Sequence, residues 1–402
     1  MKKYLFMAAV AGLTLTSCSQ EEIEVPVGEN NVIALSTPVV AKNTRAANEV
    51  GVNYNTGLNF RVWAQHHAEG TVETDYTFSA DQYINGVQAF YDNVAGTWYP
   101  KDASGNFYYW PKKGSLTFIA CSPWTNDAVQ AATIDATGLT IPNIEVSTDP
   151  TEQTDILYSE RTYYADKAEA DAATGVYPGM GMTFKHALSS IYFNVKLAGV
   201  PTGETVYPGT TVRLKGIRFE NVHMKGTFKQ NLAAGKTNID IDDVTVAEVA
   251  YTKDATLNEI YPVTLDGTMN AGGIVLDSEG YYPCTGSAVA PFDPAQGDPA
   301  STQKKTRALD EGQCRLTDLI LLPQLLKGAS VAENVKLIVD YSIQQGSGTQ
   351  VDQEYVLDLG TSATAAWKSG YRYLYNISIT LNPITLAPEV DVWVDADSNP
   401  SI

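Results

Sequence analysis

The chain has 402 residues, a length at which about two domains of ordinary size can each bury a core. Hydrophobic residues make up 44% and charged residues 18%, which excludes a chain disordered throughout. Acidic residues outnumber basic ones 46 to 27, and a net charge of −19 without a dense Lys/Arg cluster excludes a general affinity for nucleic acid.

Residues 1–17 read as a secretory signal. Lys2 and Lys3 form its charged region, and Leu5 to Leu15 form an apolar run too short to span a bilayer as a mature helix. Leu15-Thr16-Ser17-Cys18 resembles the lipobox of bacterial lipoproteins, in which cleavage leaves the cysteine, here Cys18, as an acylated N-terminus. More than one acyl chain holds a protein stably on a membrane. The acidic Ser19-Gln20-Glu21-Glu22-Ile23-Glu24 that follows is similar to export tags for the outer face of the outer membrane. Downstream, Arg45 stands among small and amide residues in Ala41-Lys42-Asn43-Thr44-Arg45-Ala46-Ala47, a basic site open to a protease.

From there the apolar residues alternate with period two. Leu58, Phe60, Val62 and Ala64 share a face, as do Ile191, Phe193, Val195 and Leu197. So do Leu337, Val339, Tyr341 and Ile343; then Tyr373, Tyr375, Ile377, Ile379 and Leu381; and last Val390, Val392 and Val394. Such segments are half-buried strands, each hiding one face against a second sheet, so the fold class is all-β, an antiparallel sandwich. Within Val212 to Phe219 the apolar side switches at Gly216, and a bulge there returns Ile217 and Phe219 to the core. Leu319 to Leu326, apolar around Pro323, reads as a short helical turn, and 288–307 as an exposed excursion. A break at Tyr177-Pro178-Gly179 sets the boundary between an N-terminal domain, 46–178, and a C-terminal one, 179–402.

Motifs that carry chemistry are missing. His66 and His67 are adjacent, so on a strand they point to opposite faces and cannot share a metal. His186 closes a hydrogen bond at a sandwich corner, Asp155 is a strand-edge or turn residue, and Cys121 is a small buried hydrophobe. Cys284 and Cys314 either bridge a loop or stay free. No G-x-S-x-G elbow or phosphate-cradling glycine loop occurs. The expectation is no catalytic residue, no metal, no cofactor and no enzyme.

Five segments in order, LNFRVWA (58–64), YYWPKKGSLTFIACSP (108–123), TDILYS (154–159), MTFKHALSSIYFNVKL (182–197) and WKSGYRYLYNISI (367–379), together with VDVWVDADS near the end, resemble the fimbrillin family. Its members are lipoprotein subunits of type V pili. The resemblance implies two antiparallel transthyretin-like β-sandwich domains in tandem and an acylated propeptide, 18–45. It also implies an arginine-specific surface protease cutting between Arg45 and Ala46, the lipoprotein acylation and export machinery, and assembly with other fimbrial subunits by strand exchange at the cell surface. Val32, Ile33, Ala34 and Leu35 would then be a removable strand. Val390, Val392 and Val394, within 384–396, would be the donor strand unless that segment pairs only in its own domain. An adhesive role brings a receptor as a further partner. The rival reading is a monomeric outer-membrane glycan-binding lipoprotein that presents Trp98, Tyr108, Tyr109 and Trp110.

Overall fold

The computed structural model describes residues 31–36, 39–40, 52–71, 77–147, 152–164, 166–174, 179–197, 209–232, 319–361, 366–379 and 385–392, with short stretches at 238–239, 247–253, 259–263, 274–275, 282–283 and 313–314. Within them the protein is all-β, as its alternation predicts, and the α-helices are short: Asp127–Gln130 and Lys167–Thr174.

The first half builds a nine-stranded sheet. Its strands run Val52–Asn53, Val39–Val40, Thr183–His186, Leu157–Ser159, Ser115–Ser122, Phe60–His67, Ile84–Asp92 and Thr97–Pro100, and Thr162–Tyr164 branches from Ser115–Ser122. Thr183–His186, beyond residue 178, thus belongs to this sheet. Phe60, Val62 and Ala64 all face one core with Leu116, Phe118 and Ala120.

The other face of that sheet is covered as well, where alternation leads one to expect solvent. Trp63, Ile119, Cys121 and Tyr158 are buried there against Ile134, Leu139, Ile141 and Phe228. The cover is a five-stranded sheet containing Thr133–Asp135, Gly138–Glu145 and Lys225–Asn231. Its pairing of Gly138–Glu145 with Lys225–Asn231 joins strands from either side of residue 178. Arg61 tolerates the enclosure because its guanidinium donates to Gly86 O at 2.9 Å and lies 4.9 Å from the Trp63 ring centroid.

Two further sheets complete the second core. One orders Leu319–Leu321, Ser189–Leu197, Tyr371–Ile379 and Thr385–Val392; the other orders Glu259–Val263, Thr210–Val222, Lys336–Gln345 and Val351–Asp358. Phe193, Phe219, Trp367 and Tyr375 pack together between them, and Trp367 Nε1 donates to the Tyr375 hydroxyl at 2.8 Å. A bulge does sit between Leu214 and Gly216, and Val212, Leu214, Ile217 and Phe219 are all buried. Leu319–Leu326 is not a helical turn. It forms two short strands, Leu319–Leu321 on Ser189–Leu197 and Gln324–Leu325 on Ala366–Trp367, because Pro323 lacks the N–H a helix would need. The 288–307 excursion, Leu381 and Cys284 lie outside the described residues.

Candidate functional site

Residues 32–36 run as an extended segment between two walls at the ends of the nine-stranded sheet. On one side Ile33 N donates to Tyr108 O at 2.8 Å, Leu35 N to Trp98 O at 2.9 Å, Trp98 N to Leu35 O at 3.0 Å and Trp110 N to Asn31 O at 2.8 Å. On the other, Met180 N donates to Ala34 O and Ser36 N to Met180 O, each at 2.9 Å. The odd-numbered residues therefore bond to one wall and the even-numbered ones to the other, the pattern of a strand with a neighbour on each side. Leu35 is antiparallel to Trp98 and parallel to Met180. Four residues on, Val39–Val40 pairs in parallel with Thr183 and Phe184.

This segment closes a ring. From Thr97–Pro100 the pairing passes through residues 31–36 to Met180, then by Thr183–His186, Leu157–Ser159, Ser115–Ser122, Phe60–His67 and Ile84–Asp92 back to Thr97–Pro100. Ile33 and Leu35 are 0% exposed inside it, while Val32 and Ala34 are only partly covered.

Local sequence explains the slot's walls. In Thr97–Pro100 the alternation turns Trp98 inward, where its ring meets Tyr54, Phe60 and Tyr91 and its Nε1 donates to Leu58 O at 3.3 Å. The turn after it is fixed by Asp102, whose carboxylate accepts from Ser104 N and Asn106 N at 2.8 Å each. Hydrogen bonds, the Asn106 amide foremost, hold that carboxyl below the usual range. The chain returns through Tyr108-Tyr109-Trp110, with Trp110 buried edge-on to Phe118 and the Tyr83 hydroxyl donating to Tyr109 O. Burial pushes the Tyr83 phenol up to about 12 and the Tyr54 phenol higher still, so both stay neutral at ordinary pH. The opposite wall begins at Gly179, with φ +124°. A Cβ there would lie 2.7 Å from Ala34 O and 3.0 Å from Ser36 N.

The other sequence-singled residues fall apart from this slot or outside view. Cys18, Arg45, Ala46 and Val394 lie outside the described residues. The stretch containing Arg45, 41–51, joins Val39–Val40 to Val52–Asn53, and these two strands pair with each other. Val390 and Val392 stand opposite Tyr373 and Tyr371, in the strand that ends its own sheet. His66 and His67 have separate partners, Lys113 O at 2.9 Å and Thr117 Oγ1 at 3.0 Å. His186 Nδ1 is 2.7 Å from Asp155 Oδ2, the corner hydrogen bond expected of it. Cys121 is fully buried, and burial pushes its thiol up. Trp98 and Trp110, offered above as a glycan platform, are buried and form slot wall instead. No cluster of His, Cys, Asp and Glu able to hold a metal occurs among the described residues. What the slot can do chemically is bind an extended backbone and two apolar side chains.

A model of fimbrillin-like proteins matches residues 44–393. The chain belongs to the fimbrillin-like family. No curated protein matches it. Among solved structures, a fimbrial protein from Bacteroides vulgatus aligns at 15% identity over 91% of this fimbrillin-like chain and 100% of its own, with a TM-score of 0.53. A candidate cell adhesion protein from Bacteroides uniformis aligns at 14% identity over 90% and 99%, with a TM-score of 0.45. A fimbrial assembly protein from Parabacteroides distasonis aligns at 10% over 90% and 97%, with a TM-score of 0.35. The first supports the fold; the other two align too loosely to carry an argument.

Sequence reasoning passed over Gly179 and Met180, reading them as a domain break. The signal was available: the two glycines of Gly179-Met180-Gly181, just ahead of the strand Thr183–His186, mark a close backbone approach as well as a turn. It also passed over the pairing of Val39–Val40 with Val52–Asn53, whose strands are too short to show a period.

Proposed function

We propose that this fimbrillin-like protein is an adhesive subunit of a cell-surface fimbria, exported as an outer-membrane lipoprotein acylated at Cys18 and cut between Arg45 and Ala46 by an arginine-specific surface protease. The cut frees residues 31–40 from the slot, and an extended strand of another subunit enters in their place. The C-terminal run with Val390, Val392 and Val394 is the donor. It performs no reaction.

One observation carries this reading. A segment upstream of Arg45 is wholly buried at Ile33 and Leu35 yet is hydrogen-bonded as a separable strand, and its covalent link to the rest of the sheet passes through 41–51. Severing that link leaves Val52–Asn53 with the body and Val39–Val40 with the leader. An emptied slot would expose unpaired backbone groups beside two apolar pockets, which is what an incoming strand satisfies. Filling two Leu-sized pockets contributes about 3–6 kcal/mol before the cost of ordering the donor. Membership of the fimbrillin-like family supports the assembly role.

The test is to expose the purified precursor to a trypsin-like protease. The expected products are a new N-terminus at Ala46 and a ladder of SDS-resistant multimers, both missing in Arg45→Ala. A protein cut at that bond that stays monomeric at all concentrations overturns the reading.

A further inference from the structure

Resting on the reading above, we infer that Gly179 is the residue whose missing side chain lets a seated strand pair with the Met180 wall of the slot, and that the slot selects an extended strand with large aliphatic residues two positions apart, running antiparallel to Thr97–Pro100. Three features of the seated segment lead there. Its two inward side chains, Ile33 and Leu35, are fully enclosed, whereas Val32 and Ala34 on the outward positions are only partly covered. The slot therefore reads residues i and i+2 and is indifferent to the size of the residue between them. Direction is set by both walls at once, since Leu35 is antiparallel to Trp98 and parallel to Met180, and a reversed strand would meet a different array of donors and acceptors on each flank.

Gly179 sets the third requirement. The Met180 amide and carbonyl reach Ala34 O and Ser36 N at 2.9 Å only because the preceding residue has no side chain: a Cβ on Gly179 would come within 2.7 Å of Ala34 O and 2.9 Å of the Ala34 carbonyl carbon. The crowded atoms are backbone, so no rotamer change in the occupant relieves them. Any strand seated here has a carbonyl at that point, so the constraint applies to an incoming chain as it does to the resident one. A strand with a tertiary amide at the position of Ser36 would lose the bond to Met180 O and collide as well.

The test uses the uncut full chain first. Hydrogen exchange at the Ile33, Leu35 and Ser36 amides should speed up about tenfold or more in Gly179→Ala, with the amides of Ser115–Ser122 unchanged. Gly70→Ala is the control for left-handed backbone strain alone, since Gly70 has φ +86° and nothing within 4 Å of its Cβ position, and it should leave all of these rates alone. Unchanged protection at 33–36 in Gly179→Ala overturns the inference. In a second arm, the unaltered chain cut at Arg45 is offered labelled peptides of residues 31–40. The native peptide should exchange with the resident leader; one with Ile33 and Leu35 both replaced by Ser, and one N-methylated at Ser36, should not. Equal binding of either altered peptide overturns the inference, and this arm decides if Gly179→Ala does not fold. Peptide selectivity without multimers would instead sink the assembly reading and leave this one standing.

Discussion

Leu35 is enclosed by Trp98 on one flank and Met180 on the other, so shortening it leaves a cavity that neither wall can close. Leu35→Ala should lower the opening free energy of the segment by about 2–5 kcal/mol, read by hydrogen exchange at the Leu35 amide in the uncut chain. Val32→Ala, on the outward side, should change it by less than about 1 kcal/mol by the same measurement. A different residue-scale effect concerns acid. Burial foremost, then the charges of His66 and Arg161, lowers the His67 pKa to about 4. The folded protein thus keeps His67 neutral where the unfolded chain, titrating near about 6.5, takes up a proton. The stability from this group is present above about 6.5 and is lost as pH falls toward about 4. Urea midpoints between pH 7 and 4.5 should decline in the native chain and decline less steeply in His67→Gln.

Phe60–His67 is the element on which both cores meet. Trp63 looks away from Phe60 and Val62, yet it is 1% exposed beneath the sheet that contains Gly138–Glu145. Trp63→Ala should therefore destabilise the whole fold by about 3–5 kcal/mol in denaturant titration, rather than the few tenths expected of an exposed strand face. Period-two alternation made this strand, and the bulge at Gly216, legible in the sequence, because both depend on neighbours along the chain. The second cover was not legible: alternation reports which side chains share a face, and Arg61 beside Trp63 looks like a wet face until Gly86 O and the Trp63 ring are seen to receive the guanidinium. The slot divided in the same way. Val32 to Leu35 reads as a strand from four residues, but its walls at 98, 108 and 180 are set by contacts far apart in sequence, with no local pattern to announce them. Leu319–Leu326 was misread because an apolar run of that length fits a buried turn or two short strands equally well until its partner at Ser189 is known.

At the scale of the molecule, Val39–Val40 and the C-terminal strand occupy different sheets. Among the described residues, Thr385–Val392 ends the sheet of Ser189–Leu197 and Tyr371–Ile379 and has one paired edge. If that strand also serves a neighbour, Val392→Asp should reduce multimers after cleavage several-fold on a native gel, while the circular dichroism of the uncut monomer stays nearly the same. A monomer that unfolds on this substitution assigns the strand to its own core instead. The arrangement at residues 31–40 has one more consequence. Its backbone bonds lie across the segment's axis on both flanks, so a pull along the chain from upstream of residue 31 loads them side by side in shear rather than unzipping them singly. A tether attached there would resist tension through every rung at once, and under the proposed exchange the strand that takes its place would inherit the same grip.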